Sequence, residues 1–345
     1  MPDIEARRAT LRDVAAAAGV SYQTVSRVVN QKPSVAPGTR ERVLDVIRQL
    51  NFTPNPAAQV LNTGRSHILQ LVIFTSVYGR AVSAMVQEGH QLGYTLAITE
   101  LGEPASIKAL RERLEATARM ADGLLLMLPY EGLSPDDLFE LCDGRPFVVV
   151  GSEMGTQVSS VVFDQRHAID QVVDHLLSLG HRGIVEIAGG LDHAEARARH
   201  QALAACLALR GMRLAASLEA DPQAASAFTA VERLLSADLQ FTALLVGNDR
   251  MALGALRALR ERGLRVPEDV SIVGFEDVQE SAFYEPPLTT VRQDFYAFGR
   301  QCVKDLVAHI EVPDTQVTTH VLYPELVVRQ STALCRCTEP ARAQS

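Results

Sequence analysis

The sequence predicts a chain in two structural parts: an all-α N-terminal headpiece and a longer α/β core of two doubly wound parallel-sheet subdomains. Three observations carry this reading. The first 50 residues contain short apolar-periodic stretches, opened by Thr10 and Ser21 and broken at Gly19, which is the punctuation of brief helices. A stretch from Asn51 to Arg65 holding Pro54, Pro56 and Gly64 then interrupts the pattern, as a linker does. From residue 68 onward, apolar runs alternate with amphipathic segments, which calls for parallel strands with helices on both faces.

Thr10 caps the first helix and Asp13 completes a capping-box variant three residues later, with its negative charge in the first turn. Leu11, Val14, Ala15 and Ala18 follow helical spacing, and Gly19 ends the helix because it tolerates positive φ. Ser21 caps a second helix from Tyr22 to Asn30, with Val25, Val28 and Val29 facing inward. A third helix is expected after Thr39, with Val43, Val46, Ile47 and Leu50 inward. Two short helices joined by a glycine turn and closed by a third make a DNA-binding helix-turn-helix. The outer face of the second helix suits base-edge readout. Arg27 can pair bidentately with guanine, Gln23 with adenine, and Tyr22 offers a ring and a hydroxyl.

Charge agrees with a nucleic-acid partner for this part alone. Residues 1–65 hold nine basic against five acidic residues, a net of +4, while the remainder carries −12. A basic module on an acidic body binds a polyanion locally. The five cysteines lack framework spacing, which fits a reducing cytoplasm. No run reaches the ~18 uncharged apolar residues of a membrane span.

In the linker, Asn55 is a plausible cap, Pro56 suits the first helical position, and Ala57 to Leu61 favour helix. So short a helix cannot hold alone in water, so it needs a partner to order it.

In the core, strands are expected at 68–74, 94–99, 123–128, 147–150, 161–163, 184–188, 243–246 and 271–274. Helices are expected at 80–92, 104–117, 165–179, 196–210, 225–236 and 249–262. A ligand would sit in the crevice outside the strand C-termini.

The run Leu11-Arg12-Asp13-Val14-Ala15, followed by Gly19-Val20-Ser21-Tyr22-Gln23-Thr24-Val25-Ser26-Arg27-Val28-Val29-Asn30, resembles the headpiece of the lactose-repressor (LacI/GalR) family. The resemblance continues to about residue 332, most clearly through His175–His181, Gly247–Gly254, Val266–Phe275 and Pro286–Phe295. It implies a periplasmic-binding-protein-like core in which the chain crosses between subdomains three times, near residues 164, 292 and 323. The expected organisation is a headpiece at 1–54, a hinge at 55–65, a core at 66–332 and a polar tail at 333–345. Within the core, one subdomain takes about 66–163 and 293–322, the other about 164–291 and 323–332.

By that resemblance Tyr22, Gln23 and Arg27 read bases, while Ser21, Thr24, Ser26 and Asn30 position the helix on phosphates. Leu61 matches the leucine that wedges a central base step in the minor groove. Arg199, Asn248, Gln293 and Phe295 match positions that contact sugar, and Glu276 stands where an aspartate is usual. Gly151 replaces an aspartate, Glu195 a serine and Pro222 a tryptophan. Glu195 is kept among the effector-site residues. Each has a plainer reading: Asn248 as a helix cap, Phe295 as core, Glu276 as a loop ion-pair residue.

The implied function is a repressor of carbohydrate-utilisation genes, bound as a homodimer to a pseudo-palindromic double-stranded DNA operator and released from it by a small-molecule effector of carbohydrate class. The tail has no leucine repeat, so a dimer that stops there is expected. A purine-sensing regulator and a sugar-acting α/β enzyme are the alternatives. No cofactor, metal site or membrane partner is expected, since His167, Asp170, Asp174 and His175 repeat no ligand spacing.

Overall fold

In the computed structural model, the described residues are 9–29, 34–52, 64–73, 79–102, 107–118, 121–127, 133–237, 239–312 and 314–336. The chain divides into two compact units at His67, described separately below.

The first unit holds α1 (Leu11–Ala18), α2 (Tyr22–Val29) and α3 (Pro37–Gln49). The Thr10 hydroxyl accepts from the Asp13 amide at 3.3 Å, and the Thr10 amide donates back to Asp13 Oδ2 at 2.8 Å. Such a cap is worth ~1 kcal/mol. Gly19 takes the left-handed conformation at φ +64°, which turns the chain from α1 toward α2. Val14, Ala15, Ala18, Val25, Val28, Val43 and Val46 are buried together with Phe52. Two expectations change here. The third helix begins at Pro37, because a proline at the first helical turn loses no hydrogen bond. Leu50 is 37% exposed instead of inward, and Phe52, read as linker, supplies the apolar plug. The hinge from 53 to 63, with Leu61, and the phosphate candidate Asn30 lie outside the described residues.

The second unit holds twelve strands among the described residues. In chain order they are β1 (Ile68–Ile73), β2 (Thr95–Glu100), β3 (Gly123–Met127), β4 (Phe147–Val150), β5 (Ser160–Phe163) and β6 (Ile184–Ala188). They continue with β7 (Ala216–Glu219), β8 (Ala243–Val246), β9 (Ser271–Glu276), β10 (Thr289–Arg292), β11 (Thr319–Leu322) and β12 (Glu325–Val327). The helices are α4 (Gly79–Gln91), α5 (Ile107–Ala118), α6 (Pro135–Leu141) and α7 (Gln165–Ser178). After these come α8 (Ala194–Leu209), α9 (Ala224–Ser236), α10 (Asp249–Glu261) and α11 (Phe295–Glu311).

One sheet runs β11-β5-β4-β3-β1-β2, the other β12-β10-β9-β8-β6-β7. All pairs are parallel except β10 with β12. The chain therefore passes between sheets after Phe163, after Arg292 and after Leu322. Both faces of each sheet are packed, which explains strands such as Phe147–Val150 that are apolar at every position. In the second sheet, one face meets α9 and α10 and the other α7 and α8. The strands β7, β10, β11 and β12 carry polar residues at alternate or edge positions and do not stand out as apolar runs.

Close approach fixes the layers at particular glycines. A Cβ on Gly254 would lie 1.9 Å from the Ala224 carbonyl oxygen, where α10 crosses the start of α9. A Cβ on Gly299 would lie 2.3 Å from the Ala81 carbonyl, where α11 crosses α4. Among the described residues, no helix is long and apolar enough to cross a membrane.

Candidate functional site

Two surfaces need examination, one on each unit. On the headpiece, Tyr22 is 49% exposed on α2, and Gln23 and Arg27 are exposed beside it. Ser21 caps the helix, its hydroxyl accepting from the Thr24 amide at 3.1 Å and lying 2.9 Å from the Thr24 hydroxyl. Thr24 and Ser26 are half-buried. Packing Val25 and Val28 inward thus leaves Tyr22, Gln23 and Arg27 on the solvent side.

In the core, each sheet has a switch point where strand order reverses, beside β1 and β3 in one and β6 and β8 in the other. In doubly wound sheets a ligand sits outside the strand C-termini at such points. Gly247 follows β8 so closely against the β6 loop that a Cβ on it would lie 2.7 Å from the Gly189 amide nitrogen.

Arg199, on α8, reaches this point. Its Nη2 donates to the Gly247 carbonyl at 3.4 Å and its Nη1 to Gln165 Oε1 at 3.3 Å. Its guanidinium lies 4.6 Å from the Phe275 ring centroid. Glu276 follows Phe275 with φ +100°, an unusual backbone for a side-chain-bearing residue. Burial pushes its carboxyl up to about 7, opposed by Arg199, Arg80 and Arg250 and reinforced by Glu195. The hydrogen bond that Arg80 gives Glu276 goes to its backbone carbonyl and not to this carboxylate.

The neighbouring Asp277 behaves oppositely. Burial alone would raise it, yet Arg329 at 2.6 Å and Arg292 at 2.7 Å hold it below the ordinary carboxylate value. Asp249, fully buried at the start of α10, is pushed up to about 7 by burial, although it accepts from the Thr290 hydroxyl and the Val278 amide.

Arg80, at the start of α4, bridges from the first sheet's side. It donates to the carbonyls of Glu276 at 3.0 Å and Asp277 at 3.1 Å, and lies 4.9 Å from the Phe295 ring centroid. Sequence reasoning missed this residue and also Gln165; an arginine in a crevice loop and a glutamine just after a crossover are weak signals by themselves.

The sequence-derived candidates are brought together unevenly. Arg199 and Glu276 lie together. Asn248 is buried and caps α10, its Oδ1 accepting from the Met251 amide at 2.7 Å, so the plain reading holds for that oxygen. Phe295 is 4% exposed in the first sheet's core, edge-on to Phe163 at 5.5 Å, which makes it core before it is a ligand face. Gln293 is 3% exposed. Glu195 reaches across to the other wall: a Cβ on Gly151 would sit 3.1 Å from its Oε1. The absence of a side chain at Gly151 thus leaves room for the Glu195 carboxylate.

Among the described residues no cluster could hold a metal ion. Asp170 and Asp174 pair with Arg210, His175 meets the Thr332 hydroxyl, and His167 packs on Tyr323.

Comparison with known proteins gives the same two parts. Residues 10–55 match the bacterial regulatory proteins of the lacI family, and residues 173–332 match a periplasmic binding protein-like domain. The chain is 35% identical over 338 residues to the lactose operon repressor of Escherichia coli (strain K12), covering 96% of this chain and 92% of that protein. The chain belongs to the lacI family. This lacI-family member is also 34% identical over 335 residues to the HTH-type transcriptional repressor PurR of Haemophilus influenzae (strain ATCC 51907 / DSM 11121 / KW20 / Rd), covering 94% and 98% of the two chains. A lac repressor dimer bound to operator and the anti-inducer ONPF superposes with a TM-score of 0.86 at 33% identity, over 95% of this chain and all of that one. A cellobiose complex of the transcriptional regulator CelR gives 0.69 at 32% identity, over 94% and 100%. These relatives are regulators and not enzymes, so the sugar-acting enzyme alternative is set aside. The chain is a DNA-binding transcriptional repressor of the lacI family.

Proposed function

We propose that this repressor binds a pseudo-palindromic operator as a homodimer and is released by a hydroxyl-rich, carbohydrate-class effector bound in the core crevice. Tyr22, Gln23 and Arg27 read base edges in the major groove. Ser21, Thr24, Ser26 and Asn30 set the helix on phosphates, and Leu61 from the hinge wedges the minor groove. A two-fold operator calls for a two-fold dimer.

The observation that carries the effector class is the wall at the ends of β8 and β9. Arg199, Asn248, Gln293 and Glu276 together call for polar partners from a ligand, since desolvating them against an apolar one costs free energy. The aromatic faces of Phe275 and Phe295 are each covered by a guanidinium, at 4.6 and 4.9 Å. That arrangement favours a hydroxyl-bearing ring over a planar base that stacks on both faces. The purine-sensing alternative retains support from the similarity to PurR.

An effector that closes the crevice can displace the chain segments leading to the hinge. Coupling of ~1–3 kcal/mol between the two sites is enough to release DNA. The test is a thermal-shift screen of lactose, cellobiose, glucuronate, adenine and guanine, followed by operator release with any compound that binds. Stabilisation by a purine alone would replace the carbohydrate reading with the second one.

A further inference from the structure

We propose that Gln165 contacts the effector directly, donating from its side-chain amide nitrogen to an acceptor oxygen of the ligand; this rests on the crevice being the effector site. Gln165 is the first residue of α7, directly after β5, where the chain first passes from one sheet to the other. It is a polar side chain held inside the protein, only 7% exposed.

Its orientation is fixed. Arg199 donates to Oε1 at 3.3 Å, so Nε2 is the end left over. That nitrogen is buried and has no protein acceptor within reach. Among the described residues, the side-chain nitrogens in this condition are those of Gln165 and Gln293. Gln293 immediately follows β10, at the second passage between sheets. The two orphaned donors therefore stand at two of the passages, and one of them is tied through Arg199 to Gly247, Phe275 and the surroundings of Glu276.

Buried amide donors are almost always bonded, because each that is not forfeits its hydration without return. A group kept in this state beside Arg199 has its natural acceptor in a ligand. A hydroxyl, carbonyl or carboxylate oxygen would satisfy it, whereas a purely apolar ligand would not. Binding there also joins the ligand to the segment that connects the subdomains, which is where a closure is transmitted.

The inference predicts an unusual combination of effects. Gln165→Glu keeps an oxygen for Arg199 and replaces the orphaned N–H group with a second oxygen. Gln165→Leu removes the polar amide altogether. In the free full-length protein, Gln165→Glu should melt at or above the wild-type midpoint, while Gln165→Leu also loses the acceptor for Arg199 and is read by its affinity alone. In titrations with whichever of lactose, cellobiose, glucuronate, adenine or guanine stabilises the wild type at the lowest concentration, both should bind at least tenfold more weakly. A fall of several degrees in the Gln165→Glu midpoint would make the residue structural and overturn the proposal, whatever the affinity. Unchanged midpoints with unchanged affinity would overturn it equally. A wild type indifferent to the whole panel counts against the effector class proposed above, while the ligand-free midpoints still decide whether Gln165 is structural.

Discussion

Replacing Glu276 with glutamine should flatten part of the pH dependence of stability. The carboxyl sits at about 7 in the folded core against an ordinary value of 4.5, chiefly because burial disfavours its charged form. A group raised in this way holds its proton more tightly when folded. Its contribution is fully present below pH 4.5 and is lost as pH rises through 7. That interval, at ~1.4 kcal/mol per pH unit, corresponds to a loss on the order of 3 kcal/mol. Glutamine keeps the shape and cannot ionise, so Glu276→Gln should match the wild type near pH 4.5 and exceed it by about that amount at pH 8. Asp249 titrates in the same direction in both proteins, and easing its repulsion from Glu276 adds to the difference with the same sign. Urea denaturation of full-length protein at pH 5, 6, 7 and 8 measures this. Parallel profiles for the two proteins would refute the argument, because they would mean the carboxylate is already compensated by Arg199 and Arg80.

Gly254→Ala should destabilise the core by ~1–3 kcal/mol despite the better helix propensity of alanine, since its Cβ would meet a backbone carbonyl at 1.9 Å; a lower urea midpoint is the readout. Arg27→Ala should cost about 1–3 kcal/mol of operator affinity and relax specificity at one base pair per half-site, whereas equal loss on all sequences would make Arg27 a phosphate contact. Sedimentation should find a dimer, and a monomer at the concentrations that bind operator would overturn the two-fold reading. Asp277→Asn should lower stability at pH 7 by roughly 3 kcal/mol, as expected when one partner of a buried ion pair is removed.

The architecture was legible because periodicity and punctuation agree. Thr10 and Asp13 announce the first helix, Gly19 its end, and Phe147–Val150 reads as a strand buried on both faces. The strands at Ala216–Glu219 and Thr319–Leu322 were not legible, because edge strands alternate and are half exposed. Phe52 was misassigned because proline and asparagine nearby mark a linker, while only three-dimensional packing places its ring among Val14 and Val43. In the crevice, Arg199 and Glu276 could be proposed from a motif. The approach of Glu195 to position 151 could not, because the two are far apart in sequence and only the fold brings them together. Arg80 was hidden for another reason: it donates to carbonyls of Glu276 and Asp277, and carbonyls have no sequence signature.

The adjacent carboxylates Glu276 and Asp277 show how the site and its scaffold differ. Glu276 ends β9 and Asp277 follows it, both with positive φ, +100° and +52°, so the backbone is strained at the pair as a whole. Asp277 repays that strain. Its two oxygens meet Arg292, at the end of β10 where the chain passes between the sheets, and Arg329, beyond β12, and so it ties the loop to both. Its value is lowered, so its contribution is present at neutral pH and disappears as pH falls through the carboxylate range. Glu276 gains no such compensation, and its contribution runs the other way with pH. Neutralising each in turn should therefore change stability at pH 7 in opposite directions, although the two residues are neighbours. A scaffold residue that stabilises holds in place one that does not, and a carboxyl kept at that cost beside Arg199 and the orphaned amide of Gln165 is positioned for a partner the free protein does not supply.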